Sequence, residues 1–254
     1  MDPATRPAIS ACIVACDEED RLPACLDSLG FCDEILVVDS HSRDSTRELA
    51  VARGARVLER DWPGHVAQKE FAVRQATHDW VLCVDADERV SRELAAEIAR
   101  LRETGFDGFS GYTFARLSSY LGREIRHGTW YPDWKLRLFD RRRGRWGGRD
   151  PHDRVEVEGP TRRLAGELLH DPYRSFAEHL ATIDRYTTTM ADQLHAEGRR
   201  ARVVDLLLRP PLRFLDFYVW RRGFLDGWRG FLLALCAAHY VRLKYWKLFV
   251  RARA

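Results

Sequence analysis

The sequence predicts an α/β fold with a mostly parallel, Rossmann-like sheet followed by a helical C-terminal region. Over the first hundred residues short β-branched runs alternate with helix-like stretches, the pattern of strands joined by crossover helices. Three of those runs end in acidic groups, and beyond Pro172 the pattern turns helical and basic.

The strand candidates, in order, are Ile9–Ala15, Glu34–Asp39, Arg56–Glu59 and Trp80–Asp85, with helices around Leu22–Leu29, Ser45–Arg53, Val66–Ala76 and Ser91–Leu101. Residues 110–170 read as shorter strands and loops, in which the aromatic and basic run Trp130–Phe139 could wall one side of a crevice. Ser175–Glu197 reads as one long helix, and Leu206–Phe249 as helices interrupted at Pro210-Pro211 and at glycines. This places an α/β domain at 1–172 and a helical, amphipathic, basic region at 173–254.

With 45% hydrophobic and 31% charged residues among 254, the chain is globular rather than disordered or low-complexity. A net charge of +3 argues against a nucleic-acid partner gripped by the whole surface. The charge is uneven: Arg199–Ala254 holds 13 Arg and Lys against 3 Asp, a balance of +10, which leaves −7 for the rest. The six cysteines form no CxxC pair and read as reduced thiols in a cytoplasmic protein. Residues 1–7 lack the apolar core of a signal peptide, and the longest apolar run, Phe231–Ala238, is far short of the roughly 20 residues that cross a bilayer.

The acidic strand ends are Ala15-Cys16-Asp17-Glu18-Glu19, Val38-Asp39-Ser40 and Val84-Asp85-Ala86-Asp87-Glu88. In open α/β sheets the carboxyl ends of strands line the ligand crevice, so these groups should meet. No GxGxxG follows the first strand and no Walker A sequence occurs, which weakens dinucleotide and P-loop readings. Asp85 and Asp87, where a strand frays into a loop, can approach one Mg²⁺ or Mn²⁺ together with a diphosphate; the bland alternative is a pair of solvated loop acids. Asp39 can accept from a ribose hydroxyl or base N–H, or act as a turn residue. Lys69 can reach a phosphate, or be a solvated helix-face lysine.

Together these residues resemble the inverting glycosyltransferases of family 2, closest to the lipopolysaccharide core group that includes β-1,4-glucosyltransferases. The likeness runs through Cys16–Glu19, Val37–Ser40, Ala67–Lys69, Asp79–Leu82, Asp85–Glu88, His127–Asp133 and Arg221–Gly230. It implies a glycosyltransferase-A-like, nucleotide-sugar-binding fold. It also implies a UDP-sugar donor, a divalent cation on Asp85 and Asp87, nucleotide contacts from Ala15, Cys16, Glu18, Asp39 and Asp85, and a phosphate contact from Lys69. Three positions depart from the group: Asp17 replaces an Asn, and His41 and His78 each replace a Gly.

Inversion needs one base to take the acceptor proton. Asp133 resembles the family's acidic position; Asp153 is the rival, and its neighbour His152 could be a further metal or phosphate ligand. Either Asp could instead pair with an arginine. The aromatic and basic tail from Phe214 to Phe249 reads as a helical element on an anionic membrane surface, with a packing face of a homo-oligomer as the alternative. The expected protein is therefore a cytoplasmic enzyme, peripheral on the inner membrane, that transfers a sugar from a UDP-sugar to a lipid-linked saccharide. A polyprenyl-phosphate glycosyltransferase and a non-catalytic sugar-nucleotide or membrane-binding protein compete with it.

Overall fold

The computed structural model describes residues 6–149 and 152–253, with Arg149 and His152 described by backbone alone. The chain forms two compact units. One holds the residues up to Arg116 together with Trp134–His170; the other holds Leu117–Asp133 and the chain from Asp171 onward.

The first unit begins β1 (Ile9–Ala15), α1 (Leu22–Asp27), β2 (Glu34–Asp39), α2 (Thr46–Ala52), β3 (Arg56–Glu59), α3 (His65–Gln75), β4 (Trp80–Asp85), β5 (Glu88–Val90) and α4 (Arg92–Glu103). After β6 (Gly111–Tyr120) and the short β7 (Arg123–Glu124) come β8 (Asp133–Asp140), β9 (Gly144–Arg149), β10 (His152–Val157) and β11 (Thr161–His170). The main sheet runs β3-β2-β1-β4-β8-β6-β11-β5, and β9 pairs with β10 in a separate ribbon. The pairs β1–β2, β1–β4 and β2–β3 are parallel, whereas β8 lies antiparallel to β4.

The four expected strands occupy their expected residues: β1, β2 and β4 are apolar runs able to be covered on both sides, whereas β3, at the sheet edge, has only Val57 and Leu58 between charged ends. Alternate side chains feed two cores: Ile9, Ile13, Leu82 and Val84 pack with Leu94 and Ile98 of α4, while Cys12, Val81 and Cys83 pack with Ala72 and Val73 of α3. Ser91 caps α4, its hydroxyl accepting the Leu94 N–H at 3.1 Å. Gly166 lets β11 press on that helix, since a Cβ there would stand 2.4 Å from Leu94 Cα. The expectation of short strands over 110–170 needs correcting at β6 and β11, each ten residues long. Both have a strand on either side in the sheet, and β6 is largely buried along its length.

In the second unit α5 (Phe176–Ala196), α6 (Val203–Leu215) and α7 (Gly227–Arg251) surround a core of Tyr120, Ile125, Phe217, Leu233 and Ala234. Pro210-Pro211 does not interrupt the helix as expected; both prolines lie inside α6. The two backbone bonds they remove would have gone to the carbonyls of Leu206 and Leu207. Leu207 is 67% exposed, where water can take the bond, and Phe214 beyond the pair is packed onto the core. The chain turns later, through a π-helical stretch Asp216–Trp220 and a left-handed Arg222.

Candidate active site

Sheet register sets the site. Ala15 lies opposite Asp39 and Val14 opposite Asp85, so the acidic turns after β1, β2 and β4 share one edge. The first two are stitched together. Asp17 adopts φ +55°, a region open to Asp and Asn because a short polar side chain can hydrogen-bond locally; its Oδ1 accepts the Arg43 N–H at 2.7 Å. The Glu18 N–H donates to Thr46 Oγ1 at 2.8 Å and the Ser45 N–H to Glu19 at 3.0 Å. His41 takes φ +58°, a region that glycine enters freely and that costs His less than most residues. His78 is not in that region.

Asp39 is fully buried and anchors its turn, accepting the Ser42 N–H at 2.8 Å and the Ser42 hydroxyl. The Ala15 carbonyl accepts the Ser40 N–H at 2.9 Å, and the exposed Cys16 thiol donates to the Ser40 carbonyl. Burial, then the negative Asp17, Asp39 and Glu18, push the Cys16 thiol's pKa up. This rim repels anions, so a diphosphate needs cationic help nearby.

That help stands at the end of β4. Lys69 of α3 places its Nζ 2.8 Å from Asp85 Oδ1 and 2.8 Å from Asp153 Oδ2. Arg137 of β8 donates to Asp85 Oδ2 at 2.9 Å and lies 3.6 Å from Glu88, which Arg116 approaches at 3.2 Å. Lys69 and Arg137 both lie over the Trp146 indole, 4.8 and 5.1 Å from its centroid. Burial alone would raise the pKa of Asp85, but Lys69 and Arg137 hold it well below the ordinary carboxylate range. Asp153 is likewise lowered against its burial, chiefly by Lys69. The Nε and one terminal nitrogen of Arg137 are buried without a partner among the described residues. Two unspent guanidinium donors beside a lysine suit the oxygens of a diphosphate.

Asp87 faces elsewhere. Its Oδ2 lies 3.4 Å from His170 Nε2 at the end of β11 and 3.8 Å from Arg21, whose guanidinium also grips both oxygens of Glu18 at 2.6 Å. Burial opposes the charge of Asp87, and the His170 hydrogen bond, together with the attraction of His170 and Arg21, outweighs it, lowering the pKa. One carboxylate and one imidazole form a donor set that suits Mn²⁺ better than Mg²⁺, which takes oxygen donors. Among the described residues no three His, Cys, Asp or Glu side chains group into a ready-made ion site, so donor oxygens would have to complete the shell. Both oxygens of Asp85 are engaged by Lys69 and Arg137, which leaves Asp87 and His170 the better placed pair. The His152 side chain lies outside the described residues.

Asp133 opens β8 and is half-buried; it belongs to the second unit. The loop before it is clasped by the Arg221–Gly230 run. Asp226, itself buried, accepts the His127 N–H at 2.9 Å and lies 3.0 Å from His127 Nδ1, while the Gly128 N–H donates to the Arg221 carbonyl at 2.9 Å. Arg229 donates to the Leu121 carbonyl. Gly128 faces Phe217, and Gly230 meets the Gly223 carbonyl so closely that a Cβ would fall 1.8 Å from its oxygen.

Arg137, Trp146, Glu88, Arg21 and His170 escaped the sequence reading as site residues. A usable signal existed for Arg137: an arginine beside the apolar Leu138-Phe139 strand run requires a buried carboxylate. His170 had none, because only the pairing of β11 with β5, His170 opposite Glu88, brings it in.

A mixed sheet, parallel from β3 to β4, whose acidic strand ends meet a buried Lys–Arg pair has the architecture of a GT-A fold. The fold is similar to that of S. aureus TarS in complex with UDP-GlcNAc, with a TM-score of 0.52 and 15% identity over 95% of this chain and 89% of that one. The sequence model of glycosyl transferase family 2 matches residues 10–165, and the chain belongs to that family. It is 32% identical to the lipopolysaccharide core biosynthesis glycosyltransferase LpsC of Rhizobium meliloti over 96% of this chain and 92% of that protein. An uncharacterized glycosyltransferase of Rickettsia felis is 43% identical, covering 92% of this chain and 88% of its relative.

Proposed function

We propose that the protein is an inverting, metal-dependent hexosyltransferase that moves a sugar, glucose by preference, from a UDP-sugar to a lipid-linked saccharide of the lipopolysaccharide inner-core type. The buried Lys69–Asp85–Arg137 cluster with its unspent guanidinium donors carries the reading, and the likeness to LpsC supports the acceptor class. The catalytic domain is proposed at 1–172 and the helical extension at 173–254, with Leu117–Asp133 grouping with the extension.

In this reading Ala15, Cys16, Glu18 and Asp39 line the nucleoside, with Asp85 at the nucleotide, and Lys69 and Arg137 draw the diphosphate inward. Asp87 and His170 hold the cation, with Asp85 at its edge; that cation, when bound, neutralises charge on the departing UDP. Asp133 accepts the proton of the attacking hydroxyl. Asp153 is the weaker base, because Lys69 already occupies its carboxylate and lowers its proton affinity. Asp133→Asn should cut transfer by roughly 10²–10⁴ with UDP affinity nearly unchanged. Should Asp153→Asn alone show that pattern, the base is Asp153.

The second unit is proposed to rest on an anionic membrane surface. Of the twenty large hydrophobic side chains that are exposed, seventeen belong to it, including Leu207, Leu208, Leu212 and Leu215 along one face of α6 and Trp220, Trp228, Phe231 and Leu235 beyond. Exposed Arg221 and Arg222 accompany them. Among the described residues no helix is long and apolar enough to cross a membrane. Lys247, a candidate lipid contact from the sequence, instead holds Asp184, Thr187 and Thr188.

A further inference from the structure

The second unit contains a cavity of about 260 Å³ that the proposed donor chemistry does not use. Its walls carry the rings of Trp130, Tyr173, Tyr186 and Tyr240, and Arg213 reaches it from α6. The volume lies below the roughly 300–1,000 Å³ of pockets for drug-sized ligands, so it has room for one ring. Several aromatic faces with a few polar groups at their edges match a pyranose, whose axial C–H bonds make an apolar face and whose hydroxyls point outward. The aromatic set is held firmly: His179 stacks on Tyr173 at 4.3 Å and is joined to Tyr120 at 2.9 Å.

The charge around the cavity selects among sugars. Arg213 donates to Thr129 Oγ1 at 3.1 Å and to Asp216 at 2.8 Å, but Asp216 is shared with Arg221 at 3.2 Å. Arg209 pairs with Asp205 and lies over Tyr245, and Lys244 lies over both Tyr240 and Tyr245. Burial, then Arg209, Arg199 and Arg213, lower the pKa of Lys244, and Arg209 and Lys244 meet over the same Tyr245 ring. Arg209, Arg213 and Arg221 thus share the carboxylates of Asp205 and Asp216, and Lys244 adds a further positive charge.

We infer that this cavity binds one acidic sugar unit, its ring against Trp130 and the tyrosines and its carboxylate or phosphate toward Arg213. The inference rests on the transferase reading and specifies its acceptor: a saccharide that carries a negatively charged sugar unit.

Ligand-observed saturation-transfer NMR on the full chain, with UDP present, tests it. D-Glucuronate and glucose 6-phosphate are compared with glucose, so the two arms separate a carboxylate from a phosphate. One or both acidic sugars should bind about tenfold more tightly than glucose, the scale of one hydrogen bond to a charged group. Arg213→Gln should remove that preference, and Tyr186→Ala should weaken all sugars while keeping it. Equal binding of glucose and both acids, an undiminished preference in Arg213→Gln, or displacement of the sugars by decanoate, which would mark an acyl-chain site, overturns the inference. The UDP signal in the same spectra is independent: a chain that ignores UDP defeats the donor reading and leaves this comparison intact.

Discussion

Glu34 shows how much one side chain can tie together. At the start of β2 its carboxylate accepts from the Ser10 hydroxyl, the Thr77 N–H at 2.7 Å, the Thr77 hydroxyl at 2.8 Å and Arg56 at 2.7 Å, joining β1, β2, β3 and the turn before β4. Burial opposes its charge, but these donors win and bring its pKa down from 4.5 to about 2. A carboxyl whose pKa falls on folding contributes stability that is complete above the unfolded value and disappears as pH drops through the folded one. Chemical denaturation followed from pH 6 to pH 2 should therefore show up to about 3 kcal/mol lost between pH ~4.5 and ~2 on this account, and Glu34→Gln should flatten that part of the curve. An unchanged slope in the variant would remove Glu34 from the acid response. Side-chain networks of this kind were poorly legible in the sequence: Asp85 was readable from its place at a strand end, whereas its partners Lys69, Arg137 and Asp153 lie 16, 52 and 68 positions away. Only the fold brings them together.

At the scale of elements, β1, β2 and β4 were legible because uninterrupted apolar runs between turn residues have few other ways to be covered, and β3 from its β-branched pattern between helix-like stretches. Local signals failed where packing overrode them, as at Pro210-Pro211, and where neighbouring strands lengthened β6 and β11. The Arg221–Gly230 run was visible as a motif but its role was not. Its glycines permit backbone contact and its Asp226 holds the loop leading to Asp133, so it acts as a clasp. Gly230→Ala forces a methyl group onto the Gly223 carbonyl, an overpacking that should cost roughly 1–3 kcal/mol or more. Asp226→Ala should free the His127–Asp133 loop at smaller cost to the fold. Thermal melts should rank Gly230→Ala as the less stable of the two, while amide exchange at His127 and Gly128 should accelerate in both; exchange as slow as in the parent protein would mean the clasp does not hold this loop.

Across the whole molecule the two units differ in surface. Among the described residues the first exposes Val51, Trp62 and Trp134 of its large hydrophobic side chains, against seventeen in the second. Patches of that kind mark interaction sites on proteins that otherwise avoid them. Replacing Leu207, Leu208 and Leu212 by Asp should abolish flotation with phosphatidylglycerol vesicles and leave UDP binding in place. Flotation should also weaken with added salt, since the arginines contribute about 1 kcal/mol each near an anionic surface. If the triple variant still floats but changes from dimer to monomer in sedimentation, the apolar face joins subunits instead.

Trp146 stands between the two cations that flank Asp85, nearly excluded from solvent at 5% exposure. An indole's electronic transition shifts with the electric field across its ring, so charge rearranged at Lys69 or Arg137 alters the colour of its emission. Trp146 is thus a built-in spectroscopic voltmeter: a diphosphate bound as proposed at Lys69 and Arg137 should register there as a shift of emission wavelength, without label or turnover.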